Sequence, residues 1–250
     1  MRFVLDIDGT ICFDGQKIEK AIVEALEALI EAGHTVVFAS ARPLRDIAPV
    51  IPRSLQHCAW IGGNGAFYQQ DDIVETVAFD ETTRNTLCVL LKRHNTAYLA
   101  DGQWAYAYTG DKKHAIYAKI HKGDGAEQSL DVLQPLCKLV VFEPPTAFLD
   151  ALSSLPVTVY THHAERIVDI SPQRTTKYDM LKRFYDEPFI VFGNDANDES
   201  LFRHAQVSVC VGNHAVGTLA TKRIDVHDVA QVLHQLKEEY DGSDVQTTAR

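Results

Sequence analysis

The sequence predicts an α/β fold, a parallel sheet core interrupted by an α+β insert, and three observations carry that prediction. Short apolar runs at residues 3–5, 35–38, 59–61, 189–192 and 207–211 each end in a polar or glycine-containing cluster, as buried parallel strands do where an open sheet meets its ligand. Between the first two runs lies a helical repeat, which completes a βαβ unit. From about residue 79 to residue 170 the texture changes to amphipathic stretches and short alternating segments. At 250 residues the chain suits one large domain or a domain with a sizeable insert, long enough to bury a substantial core.

Taken in order, Phe3, Val4 and Leu5 suit a strand covered on both faces, and Gly9 permits the sharp turn that follows. By the two-residue period of a strand Asp6 and Asp8 share a side, so their carboxylates repel unless a cation or a proton lies between them. A divalent metal relieves that repulsion; the plainer alternative is an Asp-Gly turn whose aspartate caps a helix. Ile18, Ile22, Leu26, Leu29 and Ile30 recur at helical spacing, with Gly33 as the C-terminal cap. The second strand runs into Ala39-Ser40-Ala41-Arg42-Pro43, where Ser40 taken alone reads as a helix cap and Arg42 as a solvated charge. The third opens into Gly62-Gly63-Asn64-Gly65-Ala66, where backbone can approach a ligand closely, although Asn-Gly is also a hairpin signal.

Within the insert, residues 81–94 are amphipathic, residues 98–108 alternate, a second helical run lies near Leu130, and strands are expected over 139–142 and 157–160. Pro144-Pro145 separates strand from a helix whose buried side carries Leu149 and Leu152. Trp104, Tyr106 and Tyr108 alternate along one strand, and either line a face over a substrate or pack against helices. His162 and His163 are adjacent, so in a strand they point to opposite faces, a poor arrangement for chelating one ion. The chain is expected back in the core at Asp169-Ile170-Ser171-Pro172, followed by Lys177 just before a helical run over 178–184. Residues 189–192 then open into Gly193-Asn194-Asp195-Ala196-Asn197-Asp198, a strand is expected over 207–211, a closing helix over 226–236, and a polar tail over 241–250.

Asp-x-Asp-Gly-Thr after a hydrophobic strand resembles the first motif of the haloacid dehalogenase-like superfamily, most of whose members are magnesium-dependent phosphohydrolases. Three later segments resemble its other motifs in the same order. Ser40 stands where the second places a hydroxyl for the transferring phosphoryl group, with Arg42 matching an arginine often found two residues on. Lys177 matches the third, and residues 193–198 resemble the fourth, usually Gly-Asp-x-x-Asn-Asp, with Asn194 where aspartate is common. The Asn64-Gly65-Ala66 element resembles one in the Cof-like branch, and the insert resembles that branch's type II (class IIB) cap. The resemblance implies a Rossmann-like core over 1–78 and 171–250 and a cap over 79–170. It implies Asp6 as nucleophile and Asp8 as acid and base, with Ser40, Arg42, Asn64, Lys177 and Asn197 receiving substrate. Mg²⁺ would be held from among Asp6, Asp8, Asn194, Asp195 and Asp198, hard oxygen donors that suit it. The expected reaction is hydrolysis of a small phosphomonoester, a sugar phosphate or similar, through an aspartyl-phosphate. A specialised sugar-phosphate phosphatase or phosphomutase shares all four motifs; a noncatalytic phosphate-binding module needs Lys177 and Ser40 but not both aspartates.

Composition narrows the partners. A formal net charge of −10 argues against a nucleic-acid backbone and leaves a small phosphorylated metabolite. The cysteines, Cys12, Cys58, Cys88, Cys137 and Cys210, are odd in number and form no Cys-x-x-Cys pair, which fits reduced thiols in a cytosol. The chain enters its first strand without a basic-then-apolar leader and has no apolar run of membrane-spanning length, so a cytoplasmic protein with no membrane partner is expected.

Overall fold

A computed structural model describes residues 1–121, 127–162 and 166–241. Two sheets organise them. The first is built from β1 (Arg2–Leu5), β2 (Thr35–Ala39), β3 (Ala59–Gly62), β4 (Phe67–Gln70), β5 (Ile73–Thr76), β11 (Phe189–Gly193), β12 (Val207–Val211) and β13 (Lys222–Ile224), in the order β13-β12-β11-β1-β2-β3-β4-β5. From β13 to β3 the pairing is parallel, and β4 and β5 extend the sheet antiparallel. The Asn64-Gly65 hairpin signal marks the turn from β3 into β4, while the strands β4 and β5 themselves are not expected from the sequence. The second sheet holds β6 (Tyr98–Asp101), β7 (Tyr106–Tyr108), β8 (Lys138–Phe142), β9 (Val157–His162) and β10 (Ile167–Pro172), all antiparallel, in the order β7-β6-β8-β10-β9.

Alternation along the core strands sorts their side chains into two layers. Phe3, Leu5, Phe38, Ile190, Phe192 and Val209 face α1 (Lys20–Glu31) and α8 (Val229–Tyr240), which bury Ile22, Leu26, Leu29, Leu233 and Leu236 against them. Val4, Val37, Ile61, Val191 and Cys210 face the opposite layer, where α6 (Lys177–Phe184) and α7 (Glu199–Phe202) contribute Met180, Leu181, Leu201 and Phe202. Burial on both faces explains why these strands read as continuous apolar runs. The first helix begins at Lys20, so Ile18 packs from the loop before it, and the predicted terminator Gly33 lies just past the helix at φ +84°.

The second sheet carries its two longer helices on one face. Ala100, Ala107, Leu139, Val141, Val168 and Ile170 pack beneath α3 (Glu81–His94) and α5 (Thr146–Leu152), through Leu87, Leu91, Phe148 and Leu152. Directly opposed pairs such as Asp101 with Lys138 and Val140 with Asp169 put Asp101, Tyr106, Tyr108, Lys138, His162 and Asp169 on the other face. This face looks toward the core. Tyr106 and Tyr108 pack there with Leu99, Ile120, Val140 and Phe142 rather than under the helices. Trp104 lies outside β7 and is exposed.

Two expectations for the insert need correction. The run near Leu130 is not helical: residues 129–132 form turns, because Pro135 interrupts any helix there, and Leu130, Leu133 and Leu136 instead point into the insert's core. The chain also returns to the core later than Asp169, since all of β10 through Pro172 is paired with β8 and β9. His163 and most of the polar tail lie outside the described residues. Among the described residues no helix is long and apolar enough to cross a membrane.

Candidate active site

The sheet order puts β1 between β2 and β11, so the loops leaving the carboxyl ends of all three strands meet, the place where open α/β sheets bind ligands. From β1 comes a tight turn: the amides of Thr10, Ile11 and Cys12 all donate to the carbonyl of Ile7, and Gly9 sits at φ +75°. This holds Asp6 inward and Asp8 outward. Thr10 Oγ1 donates to Asp6 Oδ2 at 2.9 Å and Lys177 Nζ to Asp6 Oδ1 at 2.7 Å. The ammonium, itself wholly buried, also donates to Asp198 Oδ1 at 2.6 Å.

Two buried carboxylates therefore share one cation. Burial is the largest influence on Asp6 and raises its pKa to about 7, with the neighbouring Asp198 and Asp8 charges adding to it and Lys177 opposing it. Lys177 loses by burial but gains more from Asp198 and Asp6, so its pKa is raised and it stays charged. A capping box fixes α6 at this point, Thr176 accepting from the amide of Asp179 while Asp179 accepts from that of Thr176.

Asp8 has different partners. Arg42 grips it in a fork, Nε to Oδ2 at 2.7 Å and Nη2 to Oδ1 at 2.6 Å, and Lys119 Nζ from α4 (Ala115–Lys119) reaches Oδ1 at 3.2 Å. Burial works against the charge, yet Arg42 and then Lys119 hold this carboxyl below its ordinary value. The two aspartates thus answer different cationic side chains, Lys177 for Asp6 and Arg42 with Lys119 for Asp8. Arg42 also donates to the carbonyls of Gly15 and Asp46, which occupies most of the guanidinium. Ser40 is buried and accepts at Oγ from the Arg42 amide at 3.1 Å; it does not cap α2 (Leu44–Ile47), whose N-cap is Pro43.

Asn64 joins the core to the second sheet. Held at φ 57° in the turn after β3, it donates from Nδ2 to Asp169 Oδ2 at 3.1 Å and accepts at Oδ1 from Asn197 Nδ2 at 3.0 Å. The turn can lie so near α6 because position 65 is glycine: a Cβ there would fall 2.1 Å from the Thr176 carbonyl oxygen. Lys138 Nζ donates to the Ala41 carbonyl at 2.7 Å and pairs with Asp169 at 3.0 Å. His162 sits between Asp169 and Asp195, at 3.8 and 3.3 Å; the two carboxylates, Asp169 foremost, lift its pKa to about 10 against burial. Asp169 is pushed down to about 2, Lys138 and His162 outweighing burial.

Of the five side chains expected to hold a metal, Asp6 and Asp198 meet on Lys177, and all four carboxylates are engaged by donors of the protein. Asp8 answers Arg42 and Lys119, Asp195 answers His162 and the Ala196 amide, and both oxygens of Asp198 are taken, by Lys177 and by the amides of Asn194 and Asp195. Among the described residues no three His, Cys, Asp or Glu side chains converge. Asp6 and Asn194 carry oxygens of the kind a hard cation takes, and Thr10 and Lys177 now engage both oxygens of Asp6. The Asn194 amide is packed so closely on the first loop that a Cβ at Gly9 would fall 2.2 Å from Nδ2, and an amide rotated by half a turn presents oxygen there instead.

Sequence reasoning missed four partners. Thr10 lay in the first motif without a role, and Lys119, Lys138 and Asp169 lie in the insert, where spacing identifies no chemistry. Lys138 and Asp169 left a trace, each a charge in an otherwise largely apolar strand.

Solved structures share this architecture. A sugar phosphatase of HAD subclass IIB aligns with TM-score 0.79 at 19% identity, covering 96% of this chain and 99% of that one. A haloacid dehalogenase-like hydrolase from B. subtilis gives TM-score 0.80 at 16% identity, covering 94% and 99%. A HAD phosphatase from Bacteroides thetaiotaomicron gives 0.77 at 18%, covering 95% and 94%. No curated protein matches the sequence. The family model of haloacid dehalogenase-like hydrolases, however, matches residues 3–236. With the Cof-like motifs at the mouth of the sheet and a class IIB cap architecture beside them, the chain belongs to the haloacid dehalogenase-like hydrolases.

Proposed function

We propose that the protein is a Mg²⁺-dependent phosphatase that hydrolyses a small phosphomonoester, a sugar phosphate or similar, through an aspartyl-phosphate on Asp6. The observation that carries this reading is the wholly buried Lys177 ammonium shared between Asp6 and Asp198 at the carboxyl end of the central strands. A phosphoryl group entering beside Asp6 meets a fixed cation there, and stabilising its equatorial charge is what accelerates phosphoryl transfer. The similar subclass IIB structure is a sugar phosphatase, which supports the substrate class.

In the first step Asp6 attacks phosphorus, the new O–P bond replaces the bond to the leaving alkoxide, and that alkoxide takes a proton from Asp8. In the second, Asp8 takes a proton from water as the water oxygen attacks the aspartyl-phosphate and releases inorganic phosphate with Asp6 restored. Both oxygens of Asp8 are engaged by cations, so the acid role requires these contacts to loosen when substrate binds. Ser40 has accepted from the Arg42 amide, which leaves its hydroxyl proton for a phosphoryl oxygen. Asp6 and Asn194 would hold the Mg²⁺, and the ion would supply positive charge that keeps Asp6 ionised at neutral pH. We take the segment from about residue 79 to 172 as the cap that excludes bulk water.

Phosphate release from an aryl phosphate tests this, with wild type and Asp6→Asn, in Mg²⁺ and in excess chelator. Turnover should require both Mg²⁺ and Asp6, and acid-quenched wild type should carry one phosphoryl group by mass. Undiminished turnover in chelator, or wild-type turnover by folded Asp6→Asn, refutes it.

A further inference from the structure

Lys119 is one cation more than Asp8 needs. Arg42 already engages both oxygens of that carboxylate, and the Lys119 ammonium adds a second positive charge at Oδ1. One negative charge therefore faces two positive ones at the mouth of the site, in a chain whose formal net charge is −10. The lysine is not a stray surface contact. Next to it Ile120 is buried among Leu99, Tyr106 and Tyr108, and the His121 amide donates to Asp46 Oδ1 at 2.7 Å, so the backbone on its C-terminal side is tied to the second sheet and to α2 of the core. The stem passes Gly15, at φ +73°, where a Cβ would lie 3.3 Å from Lys119 Cε and 3.5 Å from Arg42 Nη2. The loop at Gly15 thus walls the slot that the two cations share. Around it, residues 112–119 carry Lys112 and Lys113 as well and no carboxylate.

The position determines what the charge can meet. With the phosphoryl group at Asp6 and the leaving oxygen at Asp8, the substituent on that oxygen lies beside Lys119, whose side chain is about half exposed (47%). We infer that Lys119 is a specificity-determining residue that pairs with a second anionic group, a carboxylate or a second phosphate, on the leaving group of the phosphomonoester. The inference rests on the phosphatase reading above. In exchanging Asp8 for that anion, Lys119 keeps an ion pair while the substrate gains one, and such charge-assisted bonds are stronger than neutral ones.

The test uses two substrate pairs with Mg²⁺ present. Glycerol 3-phosphate and 3-phosphoglycerate differ by a carboxylate; fructose 6-phosphate and fructose 1,6-bisphosphate differ by a phosphate. Wild type should favour the more anionic member of at least one pair by about tenfold in kcat/KM, equivalent to about 1.4 kcal/mol, and the favoured pair identifies the anion. Lys119→Gln should lower that ratio about tenfold, chiefly through KM, and Lys119→Arg should restore most of it. Lys113→Gln, a charge loss in the same segment, should leave the ratio in place. Hydrolysis without anionic preference, or a Lys119→Gln loss equal for all four substrates, overturns the inference and leaves the phosphatase standing. No phosphate release from any of them or from an aryl phosphate overturns the phosphatase reading, and the inference with it.

Discussion

Removing the negative charge of Asp6 should make the metal-free protein more stable as the pH rises. Burial lifts the Asp6 pKa from 3.8 to about 7, so between those values the folded chain holds a proton that the unfolded chain has released. The stability this contributes is complete below about pH 4 and is lost as the pH passes through 7. A difference of about 3 units at about 1.36 kcal/mol each amounts to about 4 kcal/mol at most. Asp6→Asn keeps the side chain's size, its amide oxygen can still accept from Thr10, and Lys177 keeps Asp198, so the variant lacks this dependence but loses one acceptor. From pH 4.5 to 8.5 its stability relative to wild type should rise by about 2–4 kcal/mol. Urea unfolding of both proteins in chelator, at several pH values and with equal m-values, reads the difference, and the titrating groups that do not touch Asp6 cancel. A gap that does not change with pH, or one that moves in favour of wild type, refutes the reasoning, because it would mean that Lys177 outweighs burial. Adding Mg²⁺ at pH 8.5 should close most of the gap.

Two other perturbations address the site's architecture. Gly65→Ala places a Cβ 2.1 Å from the Thr176 carbonyl at a φ of +103°, and should cost about 3 kcal/mol or more in chemical denaturation; an unchanged midpoint would show that the turn shifts freely away from α6. Asn194→Asp adds a charge where an amide now packs on the first loop, so calorimetry should find Mg²⁺ bound about tenfold more tightly; unchanged affinity would remove Asn194 from the metal's surroundings.

Much of the core was legible because its information is local. Strands buried on both faces leave unbroken apolar runs, and each run at the mouth of the sheet ends in polar residues that the fold brings together: Asp6 with Lys177 and Asp198, Asn64 with Asn197. The antiparallel β4 and β5 were illegible because Tyr-Gln-Gln and Val-Glu-Thr carry too little apolar alternation to stand out. In the insert, the turns at 129–132 mimic a helix because leucines three apart suit either structure when they all point inward. The partners of Asp8 and Asn64 escaped for another reason. Lys119, Lys138 and Asp169 act across the gap between two sheets, a pairing that depends on how the sheets face each other and on no spacing within the chain.

The central position of β1 has a consequence during synthesis. Its neighbour β2 follows within a few dozen residues, but β11, which covers the other edge, begins only at Phe189. At about 5–20 residues per second a ribosome takes roughly 10–40 s to cross that interval. Throughout it the nascent chain carries Phe3, Val4 and Leu5 on a strand with one edge unpaired, and Asp6 has neither Lys177 nor a closed site around it. That strand is thus an open template for that time, and the intervening insert, which owns its own hydrophobic cluster, is the part able to collapse first while the two halves of the core wait for each other.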